Sequence, residues 1–504
     1  MLGKCESALK LALAPASLSK VTAATAWPLF DVAATRRIER AALAGAGEHA
    51  LMQRAGLATA KLALALAPHA RSVWVAAGPG NNGGDGLEAA LHLHAWGKKV
   101  TVTWLGSPEQ ASADTAAAWR RAQAAGVLFA TEPPDRFDLC VDALLGIGAT
   151  RAPEGRMAQW IAHMRNTDAP VLSIDLPTGL NADTGQAAHI CVHALATLCL
   201  LTLKPGLFTA DGRDATAQVW LDTLQVDLQS DVLAPLALPS ARLAGAPATR
   251  VWPHASHKGS FGDVAVVGGA PGMAGAALLA GSAALHCGAG RVYIALLDQA
   301  ALSVNPQQPE LMLRTVDQLN LAAMSVVCGC GGADAVRAHL PKILATATRL
   351  VLDADALNVI AGDTQLQAQL RTRATRNWHT VLTPHPLEAA RLLNVTSSDV
   401  QHDRLAAAQR LAQGFRCTVV LKGSGSIIAA PELVPCINPT GNTRLATAGT
   451  GDVLAGAIGA GLAAGVPEFQ AACEAVYLHG RAADRWPAGQ TLTASMLARS
   501  LRPA

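Results

Sequence analysis

Aromatic and charged side chains are scarce in this chain of 504 residues, of which 4% are aromatic and 15% charged. Lys and Arg are scattered, without a basic run or a basic stripe interleaved with aromatic residues, so nucleic-acid binding has little support. The longest apolar segment, residues 453–466, ends at Pro467. It is shorter than the roughly 18 residues that a membrane-spanning helix needs, so no membrane partner is expected.

The cysteines lack the paired spacing of a structural zinc site. Among ten Cys, only Cys328 and Cys330 are close together, and a lone C-x-C is not such a site. Free thiols in apolar stretches fit a reducing compartment, and we expect a cytoplasmic protein. Glu6 and Lys10 interrupt any signal-peptide core, so the first 25 residues are interpreted as a tail.

The chain is rich in Ala, Gly and short apolar runs, and hydrophobic residues make up 51% of it. Strand-like runs ending in Gly, Asp or Thr alternate with Ala-rich helical stretches, a pattern typical of parallel sheets covered on both faces. The pattern stops in a Pro- and Ala-rich stretch and restarts with different turn residues, so two unlike α/β domains are expected. We expect a tail at residues 1–25, a first domain at 26–226, a linker at 227–244 and a second domain at 245–504. Small-residue sheets with apolar edges also favour a homo-oligomer.

A glycine-rich turn, GPGNNGGDG at residues 78–86, follows one predicted strand and opens the next helix. Glycine permits positive φ and close approach of a ligand, and a helix N-terminus attracts anions. The turn contains G-x-G-x-x-G, but the next strand ends in Leu105-Gly106 and not in the acid that holds a ribose hydroxyl. The sequence has no P-loop motif either. The turn could instead be structural, with Asp85 as a helix cap.

Two further predicted strands end in carboxylates. Asp142 lies in VDALLGIG, and Asp175 and Thr178 lie in IDLPTG. The carboxyl ends of parallel strands face one crevice, so these side chains are expected near the glycine turn. Carboxylate, hydroxyl and amide oxygens suit a hard cation such as K⁺ or Mg²⁺.

A second glycine turn, TAGTGD, precedes a long apolar helix near the end of the chain. The free N–H groups at a helix start can hold a phosphate. Asp452, in the first helical turn, is then suited to deprotonate an attacking hydroxyl, as in phosphoryl transfer. Lys422 lies upstream in another glycine turn, LKGSGS. The alternative is that Asp452 only caps the helix.

The ordered motifs NNGGDG, VDALLGIG and IDLPTGLNADTG resemble the NAD(P)H-hydrate epimerase family over about residues 27–225. This resemblance implies a Rossmann-like three-layer αβα domain in which Asn82, Asp142 and Thr178 hold K⁺. It implies that Asp175 is catalytic and contacts the hydrated nicotinamide. It further implies dinucleotide contacts from Asn81, Asn82, Gly83, Gly84, Asp85, Gly146, Ile147, Gly148, Ala149, Thr150 and Arg151.

The second half is similar to the ADP-dependent NAD(P)H-hydrate dehydratases, which have a ribokinase-like α/β fold, over about residues 245–500. The motifs that carry this similarity include TPHPLEAARLL, LKGSGS and NTRLATAGTGDVLAG. The resemblance implies that ADP, bound with Mg²⁺, contacts Lys422, Gly423, Ser424, Gly425, Ser426 and Gly451. It implies that Asp452 is the catalytic base and that the hydrated dinucleotide contacts Ala276, Gly331, His385 and Asp452. Taken alone, His385 between two prolines could be structural.

The chain departs from the family patterns at three positions. Ile147 stands where the epimerases usually have Thr, Thr178 where they tend to have Ser, and Cys330 where the dehydratases often have Leu. Thr178 keeps an oxygen ligand, whereas Ile147 lacks the hydroxyl.

Together, the two resemblances imply a bifunctional repair enzyme. Its first half would interconvert the R and S forms of hydrated NADH and NADPH, and its second half would dehydrate the S form with ADP, giving NAD(P)H, AMP and phosphate. One alternative is a ribokinase-like kinase for a vitamin alcohol, which would release a stable phosphorylated product. Another is a non-catalytic first domain, which the joint presence of Asp142, Asp175 and Thr178 disfavours.

Overall fold

The computed structural model describes residues 18–149, 151–298 and 303–503. These residues form two compact units: the first contains residues 18–21, 30–207 and 211–238, and the second contains 22–29, 208–210 and 239–503. The longest helices described have seventeen residues, and none combines the length and apolarity that a membrane crossing needs.

The strands, in chain order, are β1 (Leu18–Lys20), β2 (Trp27–Leu29), β3 (Ser72–Ala77), β4 (Lys99–Trp104), β5 (Leu128–Ala130), β6 (Leu139–Ala143), β7 (Val171–Ile174), β8 (Ala196–Leu200), β9 (Gln218–Asp222), β10 (Ala241–Leu243), β11 (Asp263–Gly268), β12 (Arg291–Leu296), β13 (Leu311–Leu313), β14 (Ser325–Cys328), β15 (Arg349–Leu352), β16 (His379–Leu382), β17 (Thr418–Leu421), β18 (Ile427–Ala429) and β19 (Cys436–Ile437).

The α-helices are α1 (Val32–Gly45), α2 (Ala50–Leu66), α3 (Asn81–Ala95), α4 (Ala113–Ala124), α5 (Gly155–Arg165), α6 (Gly212–Thr216), α7 (Ala274–His286), α8 (Leu340–Thr346), α9 (Ala354–Ala361), α10 (Thr364–Thr372), α11 (Pro386–Leu393), α12 (Ser397–His402), α13 (Arg404–Phe415), α14 (Thr450–Ala463), α15 (Glu468–Asp484) and α16 (Ala494–Ser500).

The sheet of the first unit has the strand order β1-β9-β8-β7-β6-β3-β4-β5. All its neighbouring strands are parallel except β1 and β9. The chain runs outward from β3 through β4 to β5, then returns to β6 on the other side of β3. This reversal creates a crevice beyond the carboxyl ends of β3 and β6, where ligands bind in doubly wound α/β folds.

Both faces of this sheet are buried, as alternation along β3 shows. Val73 and Val75 pack in one apolar cluster, which also contains residues of α2, α3 and α4. Trp74 and Ala76 pack in the opposite cluster, and the indole N–H of Trp74 donates to Thr103 Oγ1 at 2.8 Å. Burial on both faces accounts for the nearly continuous apolar run of this strand.

The sheet of the second unit has the order β13-β12-β11-β14-β15-β16-β17-β18-β19-β10-β2. The first seven strands in this order, from β13 to β17, are parallel to their neighbours. Strand β18 is antiparallel to both of its neighbours, β17 and β19. Here the reversal lies between β11 and β14, so the second crevice is expected beyond Gly268 and Cys328.

Small residues let helices α7 and α14 approach closely over this sheet. A Cβ added to Gly456 on α14 would lie 2.0 Å from the carbonyl oxygen of Ala280 on α7, so a larger residue would force the helices apart. The start of α14 lies near the carboxyl end of β17, because a Cβ on Gly451 would lie 3.3 Å from Nζ of Lys422, which directly follows that strand.

The expectation of two α/β units is confirmed by these sheets. The boundaries expected at residues 26, 227 and 245 stay a prediction. The structure adds that β2, at the start of the expected first domain, and β10, within the expected linker, pair with each other in the second sheet. The expected tail lies mostly outside the described residues.

Candidate active sites

The first candidate site begins at the glycine turn between β3 and α3. The N–H of Gly78 donates to Ala143 O at 2.9 Å, which joins the turn to the end of β6. A Cβ on Gly83 would lie 2.0 Å from Gly78 O, so the compact turn requires glycine there. Helix α3 has Gly80 as its N-cap, without a side-chain capping bond. Asp85 lies five residues after that cap, so it is not the cap considered from the sequence.

Asp142, on β6, is buried and joined to Thr178 as the sequence predicts. Its Oδ1 accepts from Thr178 Oγ1 at 2.7 Å, and its Oδ2 accepts from Thr178 N at 2.9 Å and Ser173 Oγ at 2.8 Å. Burial raises the pKa of Asp142, and these hydrogen bonds oppose the shift. The amide nitrogen of Asn82 is buried without a hydrogen-bond partner, which leaves one polar group of the predicted cation set unsatisfied.

Asp175 lies directly after β7, close to the segment after β6 and to the glycine turn after β3. Its backbone has φ 68°, a left-handed conformation that is uncommon for residues other than glycine, although Asp adopts it more readily than most. Its Oδ2 accepts from the backbone N–H of Ile147 at 3.0 Å. A Cβ built on Gly146 would lie 3.1 Å from Asp175 Oδ2 and 3.3 Å from Asn82 Oδ1, so these residues converge. Ile147 therefore serves through its backbone, and the missing hydroxyl does not affect this bond.

The segment after β6 also borders open space. Gly146, Ala149 and Arg151 line a cavity of about 270 Å³ together with residues that follow β7, among them Leu176, Gly179, Asn181 and Gln186. Gly148 lies within this segment, and Thr150 lies outside the described residues. Asn81, at the start of α3, accepts from Ser112 Oγ at 2.7 Å. The predicted dinucleotide contacts that the structure describes thus come from two neighbouring segments, at the ends of β3 and β6.

Three ionisable residues lie near Asp175, and of these the sequence assigned only Asp85 to the site. Lys204, fully buried after β8, donates to Asp175 Oδ1. Burial and then the charge of Asp175 raise the pKa of Glu39, on α1, and they also raise that of Asp85, on α3, well above its usual range. The signal for Lys204 was present, because it is the one charged residue between positions 194 and 210.

The second candidate site surrounds the start of α14. Gly449 is the N-cap with φ 90°, and no side chain caps the helix. Asp452 lies in the first turn. Burial, and next the charge of Asp353, raise the pKa of Asp452 to about 6, whereas a hydrogen bond from Cys330 and the charge of Lys422 oppose the rise. Asp452 is therefore a carboxylate that exchanges its proton near neutral pH.

Lys422 and Asp353 form an ion pair at the carboxyl ends of β17 and β15. Lys422 Nζ lies 2.8 Å from Asp353 Oδ1 and 3.9 Å from Glu388 Oε2. A Cβ on Gly451 would lie 3.3 Å from Lys422 Nζ, so the lysine reaches the start of α14. Burial raises the pKa of Glu388 to about 7, and Lys422 opposes this effect.

The other predicted nucleotide contacts lie directly after Lys422. Gly423 and Ser424 are exposed, Gly425 is buried, and Ser426 Oγ donates to Gly423 O at 3.1 Å. Gly423 has φ 136°, and a Cβ there would lie 2.8 Å from Nη2 of Arg404, so the turn accepts only glycine without rearrangement.

Cys330 lies at the strand-order reversal, in the turn after β14. Its Sγ and the carboxylate oxygens of Asp353 and Asp452 lie within 4.8 Å of one another. Burial and the two acids raise the pKa of Cys330 well above its usual range, so the neutral thiol donates to Asp452. A Cβ on Gly331 would lie 2.8 Å from the Cβ of Ala276, so these two predicted substrate contacts are adjacent.

His385 is the N-cap of α11. Its Nδ1 accepts from Leu387 N at 3.1 Å and from Glu388 N at 3.4 Å. The backbone N–H of His385 donates to Glu388 Oε2 at 2.8 Å. The structural role considered from the sequence is thus present. Its Nε2 lies 3.3 Å from Glu388 Oε1, and the side chain is half-exposed.

Comparisons with known proteins separate the same two halves. The family model described as NAD(P)H-hydrate dehydratase matches residues 264–503, and that of the YjeF-related protein N-terminus matches residues 48–206. Bifunctional NAD(P)H-hydrate repair enzyme Nnr of Escherichia coli (strain K12) is 36% identical over 478 residues, covering 91% of this chain and 89% of that protein. The chain belongs to the family of bifunctional NAD(P)H-hydrate repair enzymes.

Two other similar proteins correspond to the second half of this repair enzyme. The ADP-dependent (S)-NAD(P)H-hydrate dehydratase of Neisseria meningitidis serogroup B is 45% identical over 256 residues, covering 49% of this chain and 85% of that protein. A crystal structure of the ADP/ATP-dependent NAD(P)H-hydrate dehydratase from Bacillus subtilis, co-crystallised with ATP/Mg²⁺, is 30% identical. It covers 50% of this chain and 91% of that chain, with a TM-score of 0.42.

Family membership confirms the resemblance and the expected fold class, a Rossmann-like αβα unit followed by a ribokinase-like α/β unit. It does not favour the kinase alternative. The roles of individual residues in this repair enzyme stay predictions. Sequence reasoning missed Lys204, Glu39 and Glu388 and gave Asp353 no role.

Proposed function

We propose that the first unit interconverts the R and S forms of hydrated NADH and NADPH, and that the second dehydrates the S form with ADP. The observation that carries this proposal is that each unit has a carboxylate, Asp175 or Asp452, beside a glycine turn at the carboxyl ends of parallel strands. Such a crevice suits a nucleotide, and each carboxylate suits proton transfer.

Asp175 is proposed to act on the hydrated ring in the first unit. Inversion of the carbon that carries the hydroxyl requires its ring C–N bond or its C–O bond to break and to re-form on the other face. Either route moves a proton from or to the oxygen and returns it when the bond re-forms, and a fixed carboxylate can carry that proton. The anionic dinucleotide would lie along residues 81–85 and 146–151, where backbone N–H groups and the start of α3 favour phosphate.

The oxygen groups of Asn82, Asp142 and Thr178 fit K⁺. Asp142 and Thr178 bring a carboxylate and a hydroxyl together, and the buried Asn82 amide has an end without a partner. Amide oxygen and nitrogen positions are interchangeable by rotation, so Asn82 can present an oxygen. K⁺ held there would add positive charge beside the buried Asp142 carboxylate and the bound dinucleotide.

Asp452 is proposed to take the proton from the C6 hydroxyl in the second unit. The C6 oxygen then attacks the β-phosphate of ADP and AMP leaves. The phosphorylated ring next loses inorganic phosphate and a ring proton, which restores the double bond of NAD(P)H. Lys422, Gly451 and the turn 423–426 would contact ADP, while Ala276, Gly331 and His385 would contact the hydrated dinucleotide.

Mg²⁺ is proposed to enter this site bound to ADP. Asp353 and Glu388 are carboxylates beside Lys422, and Mg²⁺ uses one or two carboxylates together with substrate phosphates. Mg²⁺ would neutralise phosphate charge. The cysteines of the described residues are free thiols, which supports a cytoplasmic enzyme. Assembly as a homo-oligomer stays a prediction.

Two single substitutions test the division of labour. Asp452→Asn should leave interconversion of the R and S forms intact and abolish phosphate release. Asp175→Asn should leave ADP-dependent consumption of the S form intact and abolish enzymatic interconversion. Chromatographic separation of the two forms, with phosphate measured alongside, reads both activities. A stable phosphorylated product with wild-type protein would favour a kinase, and unchanged interconversion in Asp175→Asn would favour a binding module.

A further inference from the structure

Lys204 places an ammonium group inside the first unit, at the back of the proposed epimerase site. The side chain is fully buried, and it follows β8 in an otherwise apolar run. Its Nζ donates to Asp175 Oδ1 and to Leu200 O, the latter at 3.1 Å. A buried ammonium is costly unless it is paired and hydrogen-bonded, so Lys204 needs the carboxylate of Asp175 as its partner.

Lys204 and Ile147 hold the two oxygens of Asp175 from different directions. Lys204 binds Oδ1, while the backbone N–H of Ile147 binds Oδ2 at 3.0 Å. The main chain of Asp175 is also fixed, because its N–H donates to Leu198 O at 2.7 Å. Asp175 therefore has one carboxylate orientation that satisfies both partners, and its side chain remains 11% exposed.

Other charged groups surround this ion pair. Glu39 and Asp85 are both influenced by the negative charge of Asp175. Lys204 and Arg36 offset that influence at Glu39, but Arg36 is exposed whereas Lys204 is buried. Removal of Lys204 would leave Asp175 facing carboxyl groups without its buried cation, so the carboxylate would lose the bond to Oδ1 that helps to fix its orientation.

We propose that Lys204 is the positioning residue for Asp175 in epimerisation: it holds the carboxylate in one orientation while Asp175 contacts the substrate. This inference rests on the proposed role of Asp175. Lys204 acts through Asp175 and does not touch the substrate, so its removal lowers kcat for epimerisation and leaves KM nearly unchanged. Small displacements of a reacting group can lower a rate by about 100-fold, which sets the expected size of the effect.

The test uses the full-length protein without ADP and follows conversion of R-hydrated NADH into the S form, corrected for the spontaneous rate. Lys204→Met is expected to lower kcat at least 100-fold and to change KM less than threefold. Lys204→Arg, which keeps the charge, is expected to retain at least tenfold more activity than Lys204→Met. Lys98→Met is the matched control, because Lys98 Nζ donates to the carbonyl groups of Pro68 and Ala70 and, among the described residues, forms no ion pair.

Asp175→Asn and the double variant Asp175→Asn/Lys204→Met separate the possible results. Positioning predicts equal activity for these two variants, because Lys204 has no target once Asp175 is replaced. The double variant also removes both buried charges, so it remains informative if Lys204→Met alone folds poorly. An inactive Asp175→Asn with a fully active Lys204→Met overturns the inference and leaves the proposed function standing. Wild-type activity of Asp175→Asn overturns the proposed role of Asp175 and this inference with it.

Discussion

Lys422 Nζ lies 2.8 Å from Oδ1 of Asp353, a buried carboxylate that also accepts from Thr383 Oγ1 at 2.7 Å. Asp353 and Lys422 follow β15 and β17, so the parallel sheet carries both to the edge where α14 begins. The ion pair holds the ammonium beside Gly451, where the proposed ADP phosphates would meet the uncapped start of a helix. Lys422 is therefore oriented before a nucleotide binds.

Lys422→Met is expected to lower kcat/KM for ADP in dehydration by about 100-fold, since one preorganised group facing transition-state charge commonly contributes that much. Lys342→Met is the matched control, because Lys342 pairs with the exposed Asp317 at 2.7 Å. Steady-state rates of NADH formation at varied ADP concentration measure the effect. Equal rates for the two variants would remove Lys422 from the nucleotide site.

The acidic side of the dehydration pH profile should report Asp452. A base acts in its ionised form, and burial raises the pKa of Asp452 to about 6, so kcat/KM is expected to be half-maximal near pH 6 and to level off about one pH unit higher. Cys330→Leu removes the thiol donor that lowers this pKa, so the rise should move to higher pH. Cys328→Val, at a buried strand position, should leave it in place. An unchanged profile in Cys330→Leu would show that the thiol does not influence the base.

The proposed K⁺ site makes epimerisation, and not dehydration, depend on Asp142. Asp142→Asn should raise the K⁺ concentration needed for half-maximal epimerisation by at least tenfold, because the carboxylate is the one charged ligand of the set. Ser173→Ala removes a hydrogen bond to the same carboxylate but leaves the three proposed ligands, so it should retain most K⁺ affinity. The titration is made at constant ionic strength with tetramethylammonium. Full epimerase activity in tetramethylammonium alone would contradict the site.

His479 should make the second unit sensitive to acid. It is buried, its Nε2 bonds Thr450 O at 2.9 Å, and burial lowers its pKa from 6.5 to about 4. Below pH 6.5, His479 of the unfolded chain becomes protonated, whereas the buried His479 of the native protein stays neutral down to about pH 4. Stability therefore falls across this interval, by up to about 3 kcal/mol.

His479→Gln can keep a donor to Thr450 and cannot titrate. The difference in unfolding free energy between the wild type and this variant should shift in favour of the variant as the pH falls from 7 to 4.5. Urea unfolding of both full-length proteins at each pH measures this difference, and the contribution of the first unit cancels. A difference that does not change with pH would contradict the assignment.

Much of both sites could be predicted because parallel strands bring their carboxyl ends to one edge. Asp142 and Thr178 are 36 residues apart in the chain, yet the Thr178 hydroxyl donates a hydrogen bond to Asp142. Asp142 lies near the end of β6, and Thr178 follows β7, the neighbouring strand. Lys422 likewise reaches Gly451, the neighbour of Asp452, because β17 ends where α14 begins. Motif order and strand rhythm therefore suffice to place such residues together, without knowledge of side-chain contacts.

The ion pairs could not be predicted in the same way. Lys204 pairs with Asp175 across 29 residues, and no local periodicity records such a partner. Glu388 looks like an ordinary acid in the first turn of α11, where it does form a capping box with His385, so its proximity to Lys422 was hidden. The pairing of β2 with β10 joins short strands more than 200 residues apart, and a three-residue strand carries too little pattern to reveal its neighbour.

The measurement that tests the central claim most directly is a single progress curve. The full-length protein is mixed with R- and S-hydrated NADH, ADP, Mg²⁺ and K⁺, and NADH absorbance is followed with AMP and phosphate. The account predicts that both forms are consumed, with one AMP and one phosphate for each NADH. Consumption of the S form alone, with the R form disappearing only at its spontaneous rate, would contradict a bifunctional enzyme.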